Sequence, residues 1–236
     1  ITVISDQDSL IPIKKIVDVH IGTLSVNVIH KSKFQNRIDN YLDARHYQLM
    51  PNQLTSKYQQ LISTMSQFDV AIIGIHTSGK QHDFSREIPE NFVKFLQELE
   101  SKTNVIVVLF GSPYLLQKLH FARHVVLCYD NDFITQDVAA QSLFGVNEIS
   151  GKLPVGINNK WVSGHGMYKN SLGRLGYSKP EMVGLSSDTL VKIDSIMAEM
   201  INLHASPGGQ VLIAKDGKIV FQKSFGKLSQ DGIQVT

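Results

Sequence analysis

Two stretches of unbroken hydrophobicity limit what this chain can become. Residues 69–76 read DVAIIGIH and residues 104–110 read NVIVVLF. Neither alternates apolar with polar side chains, so neither fits a sheet with one wet face; each needs cover on both sides. The segments around them carry helical spacing, with Phe34, Ile38, Tyr41 and Leu42 on one face of 33–42 and Leu54, Tyr58, Leu61, Ile62 and Met65 on one face of 54–65. Strands that alternate with helices, and whose central members are continuously apolar, predict an α/β fold: a three-layer α/β/α sandwich around a mostly parallel sheet.

The remaining elements follow the same logic. Residues 16–22 predict the first strand, closed by Gly22, and residues 45–50 a short second one. Pro89 suits the first turn of a helix reaching about residue 102, with Phe92, Phe95, Leu96 and Leu99 inward. Ser112 is a good N-cap and Pro113 a good first residue for a helix to about 121. Residues 124–129 predict a fifth strand, 133–144 a helix closed by Gly145, and 153–157 a last short strand. The first domain is therefore expected to span residues 1–158. Residues 159–180 are rich in glycine and polar side chains and read as a linker, with Trp161 and Tyr168 pinning it to a surface. Residues 181–236 predict a helix capped by Ser186 or Ser187, with Leu190, Ile193, Ile196, Met197, Met200 and Ile201 on one face. A β-hairpin follows, turning at Asp216-Gly217. A helix and a hairpin are a C-terminal addition from an incomplete α+β domain.

Composition narrows the function classes. Hydrophobic residues make up 42% of the 236 and charged residues 19%, enough apolar side chain for a core. Twenty-three Lys and Arg against 21 Asp and Glu leave a net charge of +2, so no strong field directs the chain to nucleic acid or to an anionic membrane. The longest apolar runs fall far short of the ~20 residues of a membrane span, and no membrane span is expected. The single cysteine, Cys128, lies in VVLCY and reads as a buried strand thiol. The chain starts at Ile1 with no signal peptide, so it is expected to begin partway through a longer polypeptide or after processing.

Several chemistries can be weighed from residue patterns. No G-x-G-x-x-G follows the first strand and no Walker A pattern occurs, so no nucleotide cofactor is expected. His120 and His124 are four apart, but one ends a helix and the other enters a strand, so they make no metal pair, and no metal site is expected. Asp130 and Asp132, after the fifth strand, read as helix caps rather than a paired acid and base. Ser224-Phe225-Gly226-Lys227 matches S-x-x-K, but at the end of a predicted strand, where i and i+3 do not share a face. The best functional candidate is the long polar loop after the third strand, residues 77–88. It leaves the carboxyl end of a central strand, where α/β sheets place ligand contacts. Its substrate-binding candidates are His76, Lys80, His82, Asp83 and Arg86. No catalytic residue is assigned.

Specific strings now resemble known families. Residues 1–5 and 10–13 resemble the beginning of the C-terminal α/β sandwich domain of family 3 glycoside hydrolases, and LFGSPYLL at 109–116 resembles its strand followed by G-x-P-Y. TQDVAAQSLFG at 135–145 and SGKLPV at 150–155 resemble its T-Q-x-x-A-A-Q-x-L-F-G and S-G-K-L-P-V motifs, in the manner of the β-N-acetylhexosaminidase branch. Residues 174–236 resemble the start of serine β-lactamase-like hydrolases, through PEMVGL at 180–185, PGGQVLIAKDGK at 207–218 and KSFG at 223–226.

The resemblance implies a bacterial glycoside hydrolase fused to a serine hydrolase, periplasmic or exported, cleaving terminal β-linked sugars such as N-acetylglucosamine by a retaining route. It implies that the nucleophile lies on a preceding barrel domain, and the serine motif after residue 236. This segment would then be inactive alone, a domain that packs on the barrel and rims its carbohydrate cleft. Other branches of the family carry an acid/base Glu in a matching loop; Glu87 falls there, but the surrounding sequence departs from that pattern and the role is not carried over. A self-sufficient glycan- or protein-binding module using residues 77–87 is the alternative, and a serine esterase a third reading. The cut second domain is expected to dock on the first or to self-associate.

Overall fold

The structure is a computed structural model, which describes residues 1–50, 54–77, 88–228, 232 and 235. The chain divides into two compact units, Ile1–Gly173 and Arg174–Thr236.

The first unit is built on a six-stranded sheet. In chain order its strands are β1 (Thr2–Asp6), β2 (Ile21–Val26), β3 (Arg45–Leu49), β4 (Val70–His76), β5 (Asn104–Phe110) and β6 (His124–Leu127). Across the sheet they run β1-β6-β5-β4-β2-β3. All neighbours are parallel except β1, which runs antiparallel to β6. The helices are α1 (Lys33–Ile38), α2 (Leu54–Met65), α3 (Glu90–Glu100) and α4 (Phe133–Leu143), with a 3₁₀ helix at Pro113–Leu119.

The two apolar runs are β4 and β5, paired in register from Val70 opposite Asn104 to His76 opposite Phe110. One face of the sheet, with Ile73, Ile75, Val107 and Leu109, packs with Leu61, Met65, Phe92, Phe95, Leu96 and the 3₁₀ side chains Leu115, Leu116 and Leu119. The other face, with Ile72, Ile106, Val108 and Phe110, packs with Phe34, Ile38, Ala139, Ala140, Leu143 and Phe144. The result is the expected α/β sandwich. Burying each large aliphatic or phenyl group contributes about 1.5–3 kcal/mol, so these two strands hold both layers of helices.

Several elements differ from the sequence reading: β1 precedes the strand expected first, the helix expected over 33–42 ends at Ile38, and the strand expected over 124–129 ends at Leu127. The strand expected at 16–22 begins at Ile21 and runs to Val26. Thr23 and Ser25 disguise it: both are buried, with Thr23 bonded to His46 and Gln35 and Ser25 to Ser32. Ahead of it, Asp18 takes φ 54° and Val17 is exposed. Residues 153–157 form no strand. They fold into a loop closed by Leu153 N–H to His165 O and Ile157 N–H to Trp161 O, over a fully buried Trp161.

Residues 159–173, read as linker, lie on the first unit. Met167 N–H donates to Val3 O, His165 Nε2 meets Ile4 O, and Leu172 N–H donates to Gly145 O. This strap covers the outer edge of β1, which would otherwise offer unpaired backbone groups to another chain.

One buried carboxylate holds the strap. Asp6, at the end of β1, accepts from the backbone of Leu10 and Ile11, from His124 Nδ1 at 2.9 Å and from Lys169 Nζ. Burial pushes its pKa up, but the bonds from His124, Lys169 and Ile11 outweigh burial and leave it below the ordinary value of 3.8.

In the second unit β7 (Gly176–Tyr177), β9 (Lys218–Gly226) and β8 (Gly208–Lys215) form a small sheet in that order. The hairpin turns at Asp216 and Gly217, both at positive φ (52° and 71°), as the twist of a two-residue hairpin requires. Ser186 caps α5 (Ser187–Leu190), accepting from Thr189 N–H, and α6 (Lys192–Asn202) follows. Among the unit's described hydrophobic residues only Ile219 and Val220 are buried, while Val191, Ile196 and Leu212 are exposed.

Asp6→Asn removes a buried carboxylate from the partly buried Lys169 and is expected to cost about 3 kcal/mol in urea unfolding. A folded pKa below 3.8 means that Asp6 contributes stability above that pH and loses it as the pH falls through the folded value. Unfolding midpoints measured between pH 5 and pH 2 should therefore fall less steeply in Asp6→Asn than in the parent.

Candidate functional site

The parallel sheet brings the carboxyl ends of β4, β5 and β6 side by side. An open cleft of about 550 Å³ lies there, lined by Thr77 after β4, Gly111 and Ser112 after β5, and Tyr129, Asp130, Asn131 and Asp132 after β6. Its size falls within the range of small-molecule sites.

Each lining loop is fixed by local chemistry. Thr77 continues the ladder of β4, its N–H and Oγ1 both donating to Phe110 O. Its side chain lies over Gly111, where φ is 152°. A Cβ there would stand 1.8 Å from Thr77 Oγ1, so only glycine fits. Ser112 and Asp132 are N-caps: Ser112 accepts from Tyr114 N–H, and Asp132 accepts from Thr135 N–H at 2.7 Å. Tyr129 takes φ 58°, and its hydroxyl meets Thr2 Oγ1 at 2.8 Å and donates to Lys152 O.

Beneath the cleft runs a buried polar network. Asn131 Nδ2 donates to Thr77 O at 3.2 Å, so its Oδ1 faces His76 Nδ1 at 2.8 Å and also accepts from Gln136 Nε2. Gln136 Oε1 in turn accepts from Phe34 N–H, in the first turn of α1. Two side-chain amides thus tie together β4, the loop after β6, α1 and α4. Because Asn131 presents its oxygen, His76 must donate through Nδ1. Its ring, 2% exposed, stacks on Phe110 at 4.7 Å. Burial holds its pKa below 6.5 against the opposing bond to Asn131, which fits a neutral ring with a bare Nε2.

Of the residues singled out from sequence, His76 sits under the cleft and orients Asn131. Lys80, His82, Asp83, Arg86 and Glu87 lie outside the described residues. Asp132 is the cap it was read to be, and its bonds to Thr135 and Ile134 hold its pKa below 3.8. Asp130 Oδ1 accepts from Asn131 N–H. Asn131 and Gln136 were not read as site residues. Gln136 stands in the TQ string, and a glutamine pointing inward from a helix is the one signal that could have exposed it. His120 follows the 3₁₀ helix and His124 opens β6, facing Asp6. Ser224 lies within β9 and accepts from Gln210, and β9 ends at Gly226 before Lys227. Cys128 is buried, and burial pushes its thiol up to about 12.

A second grouping has the order of an acyl-transfer triad. Thr23 Oγ1 lies 2.7 Å from His46 Nδ1, and His46 Nε2 lies 2.5 Å from Asp39 Oδ1. Thr23 is 1% exposed and also accepts from Gln35 Nε2 at 2.8 Å. No substrate carbonyl can reach it, so the grouping secures α1 to β2 and β3.

No family model matches the chain, and no curated protein does. Solved structures do. A glycoside hydrolase family 3 β-N-acetylglucosaminidase from Paenibacillus sp. superposes on 66% of this chain with a TM-score of 0.55 at 10% identity, using 30% of its own length. A β-glucosidase from Listeria innocua, with isofagomine bound, superposes on 66% at 0.55 and 14% identity, using 25% of its length. A fungal multi-domain family 3 β-N-acetylglucosaminidase, described as having a GCN5-related glucosamine N-acetyltransferase region, covers 98% of this chain at 0.50 and 15% identity, using 29% of its length. The likeness is one of fold, and this chain spans less than a third of each of these proteins.

Asn131→Ala strands Thr77 O and His76 Nδ1 and is expected to cost about 1–3 kcal/mol, with faster amide exchange at Thr77. The unfolded imidazole of His76 titrates near 6.5 and the folded one below it. Stability therefore falls as the pH drops through that window, where the unfolded chain takes a proton and the native one does not. His76→Gln should reduce the loss of stability between pH 7.5 and 5.5. Iodoacetamide at pH 8 should leave Cys128 unmodified in the native chain and alkylate it fully in denaturant.

Proposed function

We propose that the first unit is the non-catalytic α/β domain of a β-N-acetylglucosaminidase-like glycoside hydrolase of family 3. It would pack on a separate catalytic barrel and rim the carbohydrate cleft with the carboxyl edge of its sheet. The observation that carries this reading is the likeness in fold, over 66% of the chain, to glycosidases of which the matched part makes up only 25–30%. The sequence strings at 135–145 and 150–155 support the hexosaminidase branch.

The chemistry of the cleft agrees with a supporting role. A general acid must hold its proton at working pH, whereas Asp132 is kept ionised by capping α4. Beside the exposed carboxylates Asp130 and Asp132 lie three exposed large apolar or aromatic side chains, Tyr114, Phe133 and Ile134. Such residues suit contact with another domain. The reading of residues 174–236 as the start of a serine hydrolase rests on their sequence strings; here Ser224 lies in a strand, and a nucleophile would have to come from elsewhere.

The test is turnover. The isolated chain should not hydrolyse a chromogenic β-N-acetylglucosaminide and should not be labelled by a fluorophosphonate. Hydrolysis above background that survives repurification would refute the non-catalytic reading, and labelling would favour a serine esterase.

A further inference from the structure

We infer that one buried water molecule sits between Ser25 Oγ and His76 Nε2, beside Gly74, and completes a hydrogen-bond chain from the first turn of α1 to the loop after β6. The site lies within the sheet face that α1 and α4 cover, and it stands apart from the reading proposed above.

Proton direction is the first argument. At one end Gln35 N–H donates to Ser32 Oγ at 3.2 Å. Ser32 Oγ lies 3.2 Å from Ser25 Oγ. Its own proton can go to Ser25, which leaves the Ser25 proton to be placed. At the other end His76 donates through Nδ1 to Asn131 Oδ1 at 2.8 Å. Its Nε2 is therefore an acceptor, buried and without a hydrogen-bond partner among the described residues. One water can accept from Ser25 and donate to Nε2. Every bond in the chain then points the same way, and bonds so aligned polarise one another.

Space is the second. A Cβ on Gly74 would stand 3.2 Å from His76 Nε2 and 3.6 Å from both Ser25 Oγ and Phe34 Cδ1. The two polar atoms thus border the space that a side chain at 74 would enter. Glycine is unfavourable inside a strand, and its neighbours Ile72, Ile73 and Ile75 are the β-branched residues a strand prefers. The ladder runs through Gly74 in continuous register, opposite Ser25 on one side and Val108 on the other, so no bulge calls for glycine here. The other use of a glycine inside a strand is a close approach by another group.

Burial is the third. Ser25 is 0% and His76 2% exposed, so bulk solvent serves neither. An unpaired buried acceptor is costly, and a buried water ordinarily makes two to four bonds to polar groups that otherwise lack partners. Such a water would tie β2 to β4 where apolar packing gives way, and would hold the neutral tautomer of His76 from its second nitrogen.

The experiment is a high-resolution crystal structure of the full 236-residue chain, with ¹⁵N NMR of the His76 imidazole in the parent and in two variants. One peak of solvent density is expected within about 2.6–3.2 Å of both Ser25 Oγ and His76 Nε2. In the parent, Nε2 should resonate as an unprotonated nitrogen that accepts a hydrogen bond, and Nδ1 as a protonated one. Ser25→Ala removes the donor, and Gly74→Ala puts a methyl group into the space the two polar atoms border. Each should move the Nε2 resonance to the position of a bare imidazole nitrogen and leave Nδ1 protonated. No direct bond joins Ser25 to His76, so a response of Nε2 to the first variant reads the bridge. Absence of the density, a protein donor on Nε2, or an Nε2 resonance that both variants leave unchanged would each overturn the inference. If a variant fails to fold, the parent's density decides. None of these outcomes bears on the domain reading, which turnover tests.

Discussion

Strands β4 and β5 have no solvent face, and most of the first unit follows from covering them. Helices α2 and α3 must lie on one side and α1 and α4 on the other. Parallel pairing then sets all the loops that leave β4, β5 and β6 at one edge. The cleft is a consequence of that geometry. Wherever three parallel strands end together, their loops diverge towards helices on opposite faces and leave a crevice between them.

What distinguishes this edge is how it is held. Apolar packing ends where β4 reaches His76, and side-chain amides take over. Asn131 and Gln136 satisfy backbone groups from three separate elements, including an N–H at the start of α1 that no helical partner can reach. A neutral imidazole suits this place, since a second ring proton on His76 would have no acceptor among the described residues. At the opposite end of β6 the solution is ionic: Asp6, His124 and Lys169 fasten the strap across β1. One end of the unit is thus organised by neutral hydrogen bonds and the other by charge, which is why acid should act on the two through different groups and in different pH ranges.

The fold was legible where hydrophobicity is continuous or helical in period. Residues 54–65 and 104–110 coincide with α2 and β5, and the caps Ser112 and Ser186 stand where side-chain chemistry puts them. Legibility failed where polar residues are buried. Thr23 and Ser25 made β2 resemble a loop, and while Trp161 and Tyr168 pointed to a surface contact for 159–180, nothing local showed that Asp6 and Lys169 would fasten 159–173 to the first unit. The site was legible only in position. Pattern reading pointed to the carboxyl end of β4 and found His76, but Asn131 and Gln136 act through contacts 55 and 102 residues away in sequence, which no local pattern displays.

The central proposal is that the edge formed by β4, β5 and β6 is the face of the first unit that packs on a catalytic barrel. Hydrogen-exchange mass spectrometry on this chain alone and joined to a family 3 catalytic barrel domain addresses the proposal directly. Protection gained in the joined protein should concentrate on Thr77, 111–114 and 129–134. Protection gained instead at the opposite edge, around Asp69, Asn104 and Arg123, with the cleft unchanged, would contradict the account.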